Sequence, residues 1–451
     1  MSAYACNRRK SHPRLRFVLG GVAVSLLASL WLAGRSLAKE STASQATLAT
    51  GTSAATKEPS KSAKRRPRAR DLGIPFEGTP GRYNAITDVP GVEVGHTTLI
   101  RGEGRSNGQS ASSVVRTGVT AIFPHSKTDP VPCVAAMVSL NGNGELTGSH
   151  WVNESGFLET PIVLTNTHSV GVVRDAVVAW GNQKFTGRGF LEEPYSLAVV
   201  GETYDGFLND IAGQHVKPEH VFAALDGAKS GPVAEGSVGG GTGMVTSEFK
   251  GGIGTSSRVV AYPGGGGKVQ GKWTVGVLVQ ANYGRRVDLR ILGVPVGREI
   301  FDRMPLGPKV PGGPATQEGR SKAGGREKDG SIIVVVATDA PLLPQQMARL
   351  ARRPALGMGR LGAVSYQSSG DLFIAFGVPQ PDPDARGLLH FTALPNDQLD
   401  PLLQAVVQAT EEAIVNALVA ADTMTGIDGR TVYGLPHDRL LQVLRKYRVV
   451  K

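Results

Sequence analysis

Cysteine is almost absent from this chain of 451 residues, which contains only Cys6 and Cys133. Two cysteines provide neither a disulfide framework nor the multiple thiolates of a cysteine-based metal site. Cys133 lies in an apolar segment, Val131 to Met137, so we expect it to be a small residue of the core. The fold is therefore predicted to depend on hydrophobic burial alone.

The common motifs for cofactors, metals and nucleophiles are also missing. The nine histidines include no His-x-x-x-His pair, and no Gly-x-Ser-x-Gly elbow occurs. Gly264–Gly267 precedes Lys268, but Val269 stands where a phosphate-binding loop needs Ser or Thr. The glycines from Gly239 to Gly243 do not match the dinucleotide fingerprint. These absences count against the ordinary hydrolase and metalloenzyme classes, and a metal site built from scattered residues stays open at this point.

Charge is unevenly distributed along the chain. The formal net charge is +11, yet residues 1–70 carry 14 Lys or Arg against two acids, and the other 381 residues have a net charge of −1. The basic excess belongs to the N-terminal extension, so a nucleic-acid-binding function is excluded for the main body.

The N-terminal extension has two parts. Basic residues precede an apolar run from Phe17 to Ala33, and Ser36-Leu37-Ala38 offers small residues for a signal peptidase. We interpret residues 1–38 as a signal peptide and 39–70 as a basic, low-complexity linker, which predicts an exported protein, periplasmic or secreted. An uncleaved anchor is the alternative, and it would be the only contact with a membrane.

From residue 71 onward, short apolar stretches alternate with glycine-rich turns and helical patterns, which indicates a large α+β domain with helices covering sheets. The predicted strands are Val92–Ile100, Gly118–Phe123, Val134–Leu140, Pro161–Thr165, Ser196–Val200, Thr274–Gln280, Ser331–Ala337 and Leu372–Phe376. The predicted helices are Val172–Gly181, Pro218–Ala228, Pro344–Arg352 and Pro401–Ala421.

A long polar segment, Gly307 to Gly330, runs directly into the apolar strand that starts at Ser331. Loops above about 12–15 residues are uncommon in compact domains and are usually functional or disordered. If the Gly330–Ser331 bond is cut, Ser331 gains an α-amine next to its own hydroxyl. An α-amine has a pKa of about 8, so it can accept the hydroxyl proton without a histidine. The alternative interpretation is an ordinary loop that ends in a strand.

Four further residues carry side chains suited to such a nucleophile. Ser369 and Asp371 project from one short turn and could orient the nucleophile and its amine, although a hydrogen-bonded turn is the simpler explanation of this pair taken alone. Asn282 follows an apolar strand and could donate its amide to an oxyanion, or simply form a turn. Tyr204 could offer a hydroxyl and a flat wall, or be a packed core residue.

Residues 71–451 resemble the DmpA/BapA family of self-processing L-aminopeptidases/D-esterases and β-peptidyl aminopeptidases. The resemblance runs through long ordered motifs, namely Gly73–Gly81, Asp88–His96, Asn141-Gly-Asn-Gly-Glu145, Leu164–Thr167, Gly239–Gly243, Phe249–Arg258, Gln280-Ala-Asn-Tyr-Gly284, Gly330–Pro341, Ser368-Ser-Gly-Asp371 and Glu412–Ala417. It implies a four-layer αββα sandwich, similar to the N-terminal nucleophile hydrolases and shared with ornithine acetyltransferase.

The resemblance also implies roles for individual residues. The precursor would cut itself between Gly330 and Ser331 into an α chain and a β chain, 331–451. Ser331 would be the nucleophile, Ser369 and Asp371 its orienting pair, Asn282 the oxyanion amide and Tyr204 a wall of the pocket. The β-peptidases of the family tend to have Glu where this chain has Asp371. The resemblance also implies that no metal and no organic cofactor is needed. From charge complementarity, Asp371 is further expected to bind the substrate's ammonium group.

The predicted function is hydrolysis of N-terminal residues from short peptides, amides and esters by a homotetramer of αβ heterodimers. The alternatives are a β-peptidyl aminopeptidase, an acyltransferase like ornithine acetyltransferase, and an inactive surface binding module.

Overall fold

A computed structural model describes residues 66–103, 114–128, 131–185, 196–307 and 330–451 of the chain. The predicted signal peptide, and the predicted polar loop apart from its ends, lie outside these residues. The described part of the chain contains sixteen strands: β1 Glu93–Arg101, β2 Val115–Phe123, β3 Cys133–Gly142, β4 Phe157–Leu158, β5 Ile162–Asn166, β6 Val199–Thr203, β7 Val245–Thr246, β8 Phe249–Lys250, β9 Gly252–Gly265, β10 Lys268–Tyr283, β11 Gly330–Thr338, β12 Gly370–Gly377, β13 Asp382–Pro383, β14 Leu389–His390, β15 Met424–Thr425 and β16 Thr431–Val432. Its α-helices are α1 Ser149–Ser155, α2 Val170–Phe185, α3 Pro218–Asp226, α4 Val296–Glu299, α5 Pro344–Ala351, α6 Pro354–Arg360, α7 Asp400–Val419 and α8 His437–Lys446.

Two sheets form the middle of the protein. One has four strands in the order β1-β2-β5-β6, and the other has six in the order β4-β3-β12-β11-β10-β9. Neighbouring strands are antiparallel except for the pairs β5–β6 and β11–β12, which are parallel. Each parallel pair is joined through a crossover that contains helix, as parallel pairing requires.

Strand alternation assigns each sheet one face to the other sheet and one to helices. Ile333 and Val335 of β11 pack with Ile162 and Leu164 of the four-stranded sheet, in a cluster between the sheets. Their neighbours on β11 pack instead against a cluster that includes residues of α5, α6, α7 and α8. A third cluster joins the outer face of the four-stranded sheet to α2 and α3. These four layers confirm the predicted αββα sandwich.

The central helix α7 is long and apolar enough to cross a membrane, yet almost all of it is buried in the fold. It lies against β9 and β10, and burial on every side explains why its sequence is apolar around most of its circumference. It is therefore a core helix of this body.

The predicted elements are all present, with shifted ends. The predicted strand Ser196–Val200 is β6, Val199–Thr203, because the polar Glu202 and Thr203 are buried and hydrogen-bonded. Sequence reasoning missed β9, in which Gly and Ser make up six of the 14 residues, and the amphipathic α8. Gly264–Gly267, rejected above as a phosphate loop, forms the turn between β9 and β10 with positive φ at all four residues.

The folded body includes residues that precede the predicted boundary at residue 71. Ala69 is fully buried, and its backbone N–H donates to Asn416 of α7. Arg68 pairs with the buried Glu235. Residues 66–70 of the predicted linker therefore belong to the fold, because their basic side chains meet buried acceptors.

Cys133 is buried, and burial raises the pKa of its thiol.

Candidate active site

Ser331 lies near the start of β11, between two strands that supply the other site residues. In the strand register it stands directly across from Asn282 of β10 on one side and Gly370 of β12 on the other. The Gly370 N–H donates to Ser331 Oγ at 3.2 Å. Gly330 has a φ of 80°, in the left-handed region that glycine tolerates and L side chains rarely adopt.

The hydroxyl and the predicted oxyanion amide emerge on the same face of the six-stranded sheet. Ser331 alternates in phase with Ile333, and Asn282 with Leu278, both of which belong to the cluster between the sheets. Ser331 is 6% exposed and Asn282 is fully buried. The structure thus brings two residues that are 49 positions apart to one buried place.

Backbone groups fix which way the Asn282 amide points. Its Oδ1 accepts the Val245 N–H at 2.8 Å, and its Nδ2 donates to the Tyr204 carbonyl at 2.9 Å. A backbone N–H can only donate, so Oδ1 must face Val245 and the amide cannot be reversed. Tyr204 is half-buried, and its ring packs close to Gly206. Its contact with Asn282 is made by its main chain.

Ser369 and Asp371 form a hydrogen-bonded pair. Ser369 Oγ donates to Asp371 Oδ1 at 2.6 Å, and both residues are buried. Burial raises the pKa of the Asp371 carboxyl, although the hydroxyls of Ser369 and Ser365 act against this. The buried Asp371 Oδ2 has no hydrogen-bond partner within the described ranges. A buried acceptor without a partner is costly, which marks this oxygen as a site for a donor.

The pair lies on the opposite face of the sheet from the Ser331 hydroxyl. Asp371 alternates with Leu372, which packs between the sheets, and so belongs to the helix side with Phe373. Tyr283 lies on that side too, and its pKa is raised by burial and by the Asp371 charge. A cleft lined by Tyr283, Arg285, Ser365, Tyr366 and Ser369, among other residues, opens here. Asn282 therefore lies on the same face of the sheet as the Ser331 hydroxyl, whereas the Ser369–Asp371 pair lies on the other face, beside the Ser331 main chain.

Sequence reasoning gave no role to the segment Asn141–Glu145, which holds the Ser368–Asp371 turn. Asn141 Nδ2 donates to the Tyr366 carbonyl and Asn143 Nδ2 to the Ser368 carbonyl, each at 2.7 Å. A Cβ on Gly370 would lie 2.3 Å from the Asn143 carbonyl oxygen, so only glycine allows this approach. The repeated Asn-Gly of this segment was the available signal.

A second buried carboxylate, Glu202 of β6, was also missed. Its Oε1 accepts the Glu145 N–H at 3.1 Å, and Thr167 Oγ1 donates to its Oε2. Burial raises the pKa of Glu202, and these hydrogen bonds act against the rise. A Cβ on Gly144 would lie 3.1 Å from Oε1 and 3.5 Å from Gly370 Cα, so the carboxylate lies close to the turn that contacts Ser331. An acid two positions after the apolar run Ala198-Val199-Val200 was the signal.

No group of three or more His, Cys, Asp or Glu side chains with the arrangement of a metal site occurs in the part of the chain that the structure describes. The described residues bring together two serine hydroxyls, an amide, two carboxylates and backbone N–H groups at this site.

Comparison with known proteins adds a family. The profile of peptidase family S58 matches residues 84–432. The beta-peptidyl aminopeptidase BapA of Sphingosinicella microcystinivorans is 50% identical over 386 residues, 85% of this chain and 93% of that protein. The protein of the same name from Sphingosinicella xenopeptidilytica is 49% identical over 384 residues, 84% and 91% of the two chains.

Two solved structures share the fold. The L-aminopeptidase D-Ala-esterase/amidase of Ochrobactrum anthropi, described as a prototype of the serine aminopeptidases and a variant of the Ntn hydrolase fold, has a TM-score of 0.74 and 44% identity over 86% of this chain and all of that one. A Burkholderia sp. beta-aminopeptidase has a TM-score of 0.70 and 47% identity, covering 84% of this chain and 98% of that one.

Proposed function

The chain belongs to peptidase family S58 and is an aminopeptidase, and we propose that Ser331, freed by cleavage of the Gly330–Ser331 bond, is its nucleophile. The observation that carries this proposal is the placement of Ser331 directly across from Asn282 on one buried face. The family decides against the acyltransferase alternative.

Maturation is an intramolecular acyl shift. Ser331 Oγ attacks the Gly330 carbonyl carbon, the C–N bond breaks as the nitrogen takes up a proton, and Gly330 becomes an ester on Oγ. Water then hydrolyses this ester and releases the α chain with a carboxylate at Gly330. Gly330 supports this step because it has no side chain to obstruct the attack and adopts a positive φ without strain.

In turnover, the new α-amine of Ser331 accepts the hydroxyl proton while Oγ attacks the substrate carbonyl. The Asn282 amide stabilises the oxyanion, the leaving group takes the proton, and water hydrolyses the acyl-enzyme. Asp371 Oδ2, a buried acceptor without a partner in the described part of the chain, receives a hydrogen bond from the amine. Ser369 keeps Asp371 in place through their 2.6 Å bond.

The substrates are short peptides, amides and esters with a free N-terminal ammonium group. Two buried carboxylates, Asp371 and Glu202, approach the site from different sides and supply the negative charge that such a group needs. The requirement for a terminal ammonium explains release of one residue at a time.

Two versions of this proposal differ in the acyl residue that the enzyme prefers. Asp371 supports the L-aminopeptidase/D-esterase type, whereas the relatives at 50% and 49% identity are named beta-peptidyl aminopeptidases. We propose the first type, and kcat/KM values for L-alanyl and β-homoalanyl p-nitroanilide and for D-alanine methyl ester test it. A larger kcat/KM for the β-homoalanyl substrate would instead establish the β-peptidyl version.

We further propose that the protein is exported and assembles as a homotetramer of αβ heterodimers. The apolar run and small-residue site within residues 1–38 support export. Intact mass of the protein from the periplasm or medium, and light scattering of the purified enzyme, test export and assembly separately. A mass that retains residues 1–38, or a scattering mass of one αβ unit, would contradict the respective statement.

The nucleophile is tested with Ser331→Ala. Wild-type protein should give a β chain of 121 residues that begins at Ser331, and the variant should remain uncut and inactive. Ser256→Ala is the matched control, because Ser256 is a buried serine of the same sheet whose hydroxyl donates to the Ala409 carbonyl of α7. Cleavage at this bond in Ser331→Ala would refute the proposal.

A further inference from the structure

The Asn282 amide is hydrogen-bonded to two segments, the β7–β8 hairpin and the loop that follows β6, and each segment contains a buried ionisable side chain. The donor to Asn282 Oδ1 is Val245, whose segment is bonded to Lys250. Asn282 Nδ2 donates to the carbonyl of Tyr204, and the next residue in the chain is Asp205. Neither Lys250 nor Asp205 has a role in the mechanism derived above.

Lys250 is fully buried, and its ammonium group is bonded to main-chain oxygens. Its Nζ donates to the carbonyls of Met244 and Gly251 at 2.8 Å each and to that of Gly241 at 3.5 Å. Burial lowers the pKa of Lys250 to about 7, which reflects the cost of placing this cation inside the protein. Met244 directly precedes β7 and Gly251 directly follows β8, so these bonds tie together the two ends of the β7–β8 hairpin. Because Val245 is the next residue after Met244, they also fix the position of the Val245 N–H.

Asp205 anchors the other loop in the same manner. It is fully buried, and its two carboxylate oxygens accept hydrogen bonds from Asn209 Nδ2 at 3.0 Å and Asn166 Nδ2 at 3.1 Å. Burial raises its pKa to about 7. Because Asp205 adjoins Tyr204, an anchored Asp205 side chain also fixes the carbonyl that receives Asn282 Nδ2.

The two anchors act on loops that touch each other. A Cβ on Gly243 would lie 2.8 Å from Asp205 Cβ, so the glycine lets the two segments pack directly. The charges are also coupled, since the Asp205 carboxylate raises the pKa of Lys250 against the effect of burial. A displacement of either loop therefore moves one end of the same amide.

We propose that Lys250 and Asp205 are positioning residues that hold the Asn282 amide in the orientation that stabilises the oxyanion. This inference rests on the proposed function, in which Asn282 is the oxyanion donor. Neither residue contacts the substrate. Removing either one leaves substrate binding intact and misplaces the donor in the transition state, so kcat falls while KM stays unchanged.

The test uses the full chain with Lys250→Met and Asp205→Asn. We expect kcat on L-alanyl p-nitroanilide to fall by about 10- to 100-fold for each variant, with KM within about twofold of wild type. Appearance of the β chain should slow as well, since self-cleavage uses the same oxyanion. The inhibition constant of 1-aminoethylboronic acid, which forms a tetrahedral adduct with a serine hydroxyl, should rise as kcat falls, whereas that of the product L-alanine should not.

Arg116→Met is the matched control. Arg116 is a buried cation whose side chain, like that of Lys250, donates to main-chain carbonyls, here those of Val115, Arg101, Gly102 and Thr425. Its removal should lower the melting temperature while leaving kcat per folded molecule within about twofold of wild type. A purely structural role for Lys250 predicts the same behaviour for Lys250→Met, and that outcome overturns the proposal.

Further variants make the result decisive. If Lys250→Met does not fold, Asp205→Asn alone tests the proposal through the same split between kcat and KM. Asn282→Ala separates the two levels of inference: wild-type kcat in this variant refutes its oxyanion role and with it the proposed function. Loss of kcat in Asn282→Ala, together with wild-type kcat in both anchor variants, refutes only the positioning role.

Discussion

At the scale of single residues, the site combines groups whose burial disfavours their charged forms. Asp371 is the clearest case, because it is buried with an unpartnered Oδ2 among the described residues and a raised pKa. A carboxylate in this position destabilises the uncut chain and becomes favourable once a cation is available to pair with it. Asp371 therefore lowers the free energy of unfolding of the uncut chain, and the same unpartnered oxygen is what allows it to bind a cation in the active enzyme.

This arrangement predicts an unusual dependence of stability on pH. In the uncut Ser331→Ala protein, the raised pKa means that the native state binds the Asp371 proton more tightly than the unfolded state does. The unfolding free energy should therefore be larger at acidic pH and fall as the pH rises through the interval from the unfolded pKa, about 3.9, to the raised native one. Adding Asp371→Asn should remove this part of the pH dependence.

Urea unfolding at several pH values measures the difference between Ser331→Ala and Ser331→Ala/Asp371→Asn. At neutral pH the double variant should be at least as stable as the single one. A double variant that is less stable at every pH would show that the carboxylate is already satisfied in the uncut chain.

At the scale of elements, the site depends on a loop that clamps a turn. β12 pairs with β3, and their register shifts between Asp371 and Leu372. A bulge of this kind redirects side chains, and here the extra residue is Leu140 of β3, opposite the start of β12. The Asn141–Glu145 segment closes over the same place and holds the Ser368–Asp371 turn through two asparagine side chains.

Removing one of these side chains should affect activity more than stability. We expect Asn143→Ala to lower kcat by about tenfold, because the Ser369–Asp371 pair loses its position, and to cost about 1 kcal/mol of stability. Asn153→Ala is the control, since exposed Asn153 likewise bonds a main-chain carbonyl, that of Met137 on β3. Equal kcat values for the two variants would show that the clamp does not position the pair.

At the scale of the whole molecule, buried ion pairs attach the N-terminal segment of the described residues to the core. Glu412 of α7 accepts bonds from Arg258 Nη2 at 2.7 Å, Arg70 Nε at 2.8 Å and Asn84 Nδ2 at 2.6 Å. It is fully buried, and its pKa is lowered because these partners outweigh the opposing effect of burial. One carboxylate therefore joins α7, β9 and the N-terminal segment.

Loss of this carboxylate should unfold the protein more readily. Glu412→Ala leaves Arg258 buried without its charge partner, and we expect it to cost roughly 3–5 kcal/mol of unfolding free energy. Glu411→Ala, at the adjacent position, removes a pair with the partly exposed Arg360 and should cost less than about 1 kcal/mol. Denaturant titration of both variants gives the comparison, and equal costs would refute the central role assigned to Glu412.

The sequence alone determined the layers of the fold and the type of chemistry. Apolar runs such as Ile332–Val336 predict strands buried on both faces, because local periodicity records which side chains face a core. The Gly330–Ser331 junction, Ser369, Asp371 and Asn282 stood out by local chemistry and by resemblance to a family. The strand β9 escaped prediction because the Gly and Ser residues of its first half are buried by tertiary packing and show no periodic pattern.

Only the tertiary structure decided which distant groups meet. The register of β10 on β11 sets Asn282 across from Ser331, and the orientation of that amide follows from Val245 and Tyr204, which no local pattern connects to it. Glu202, Lys250 and Asp205 look like surface residues in the sequence because charged side chains are usually exposed. They can be buried because they form hydrogen bonds across loops that only the folded chain brings together.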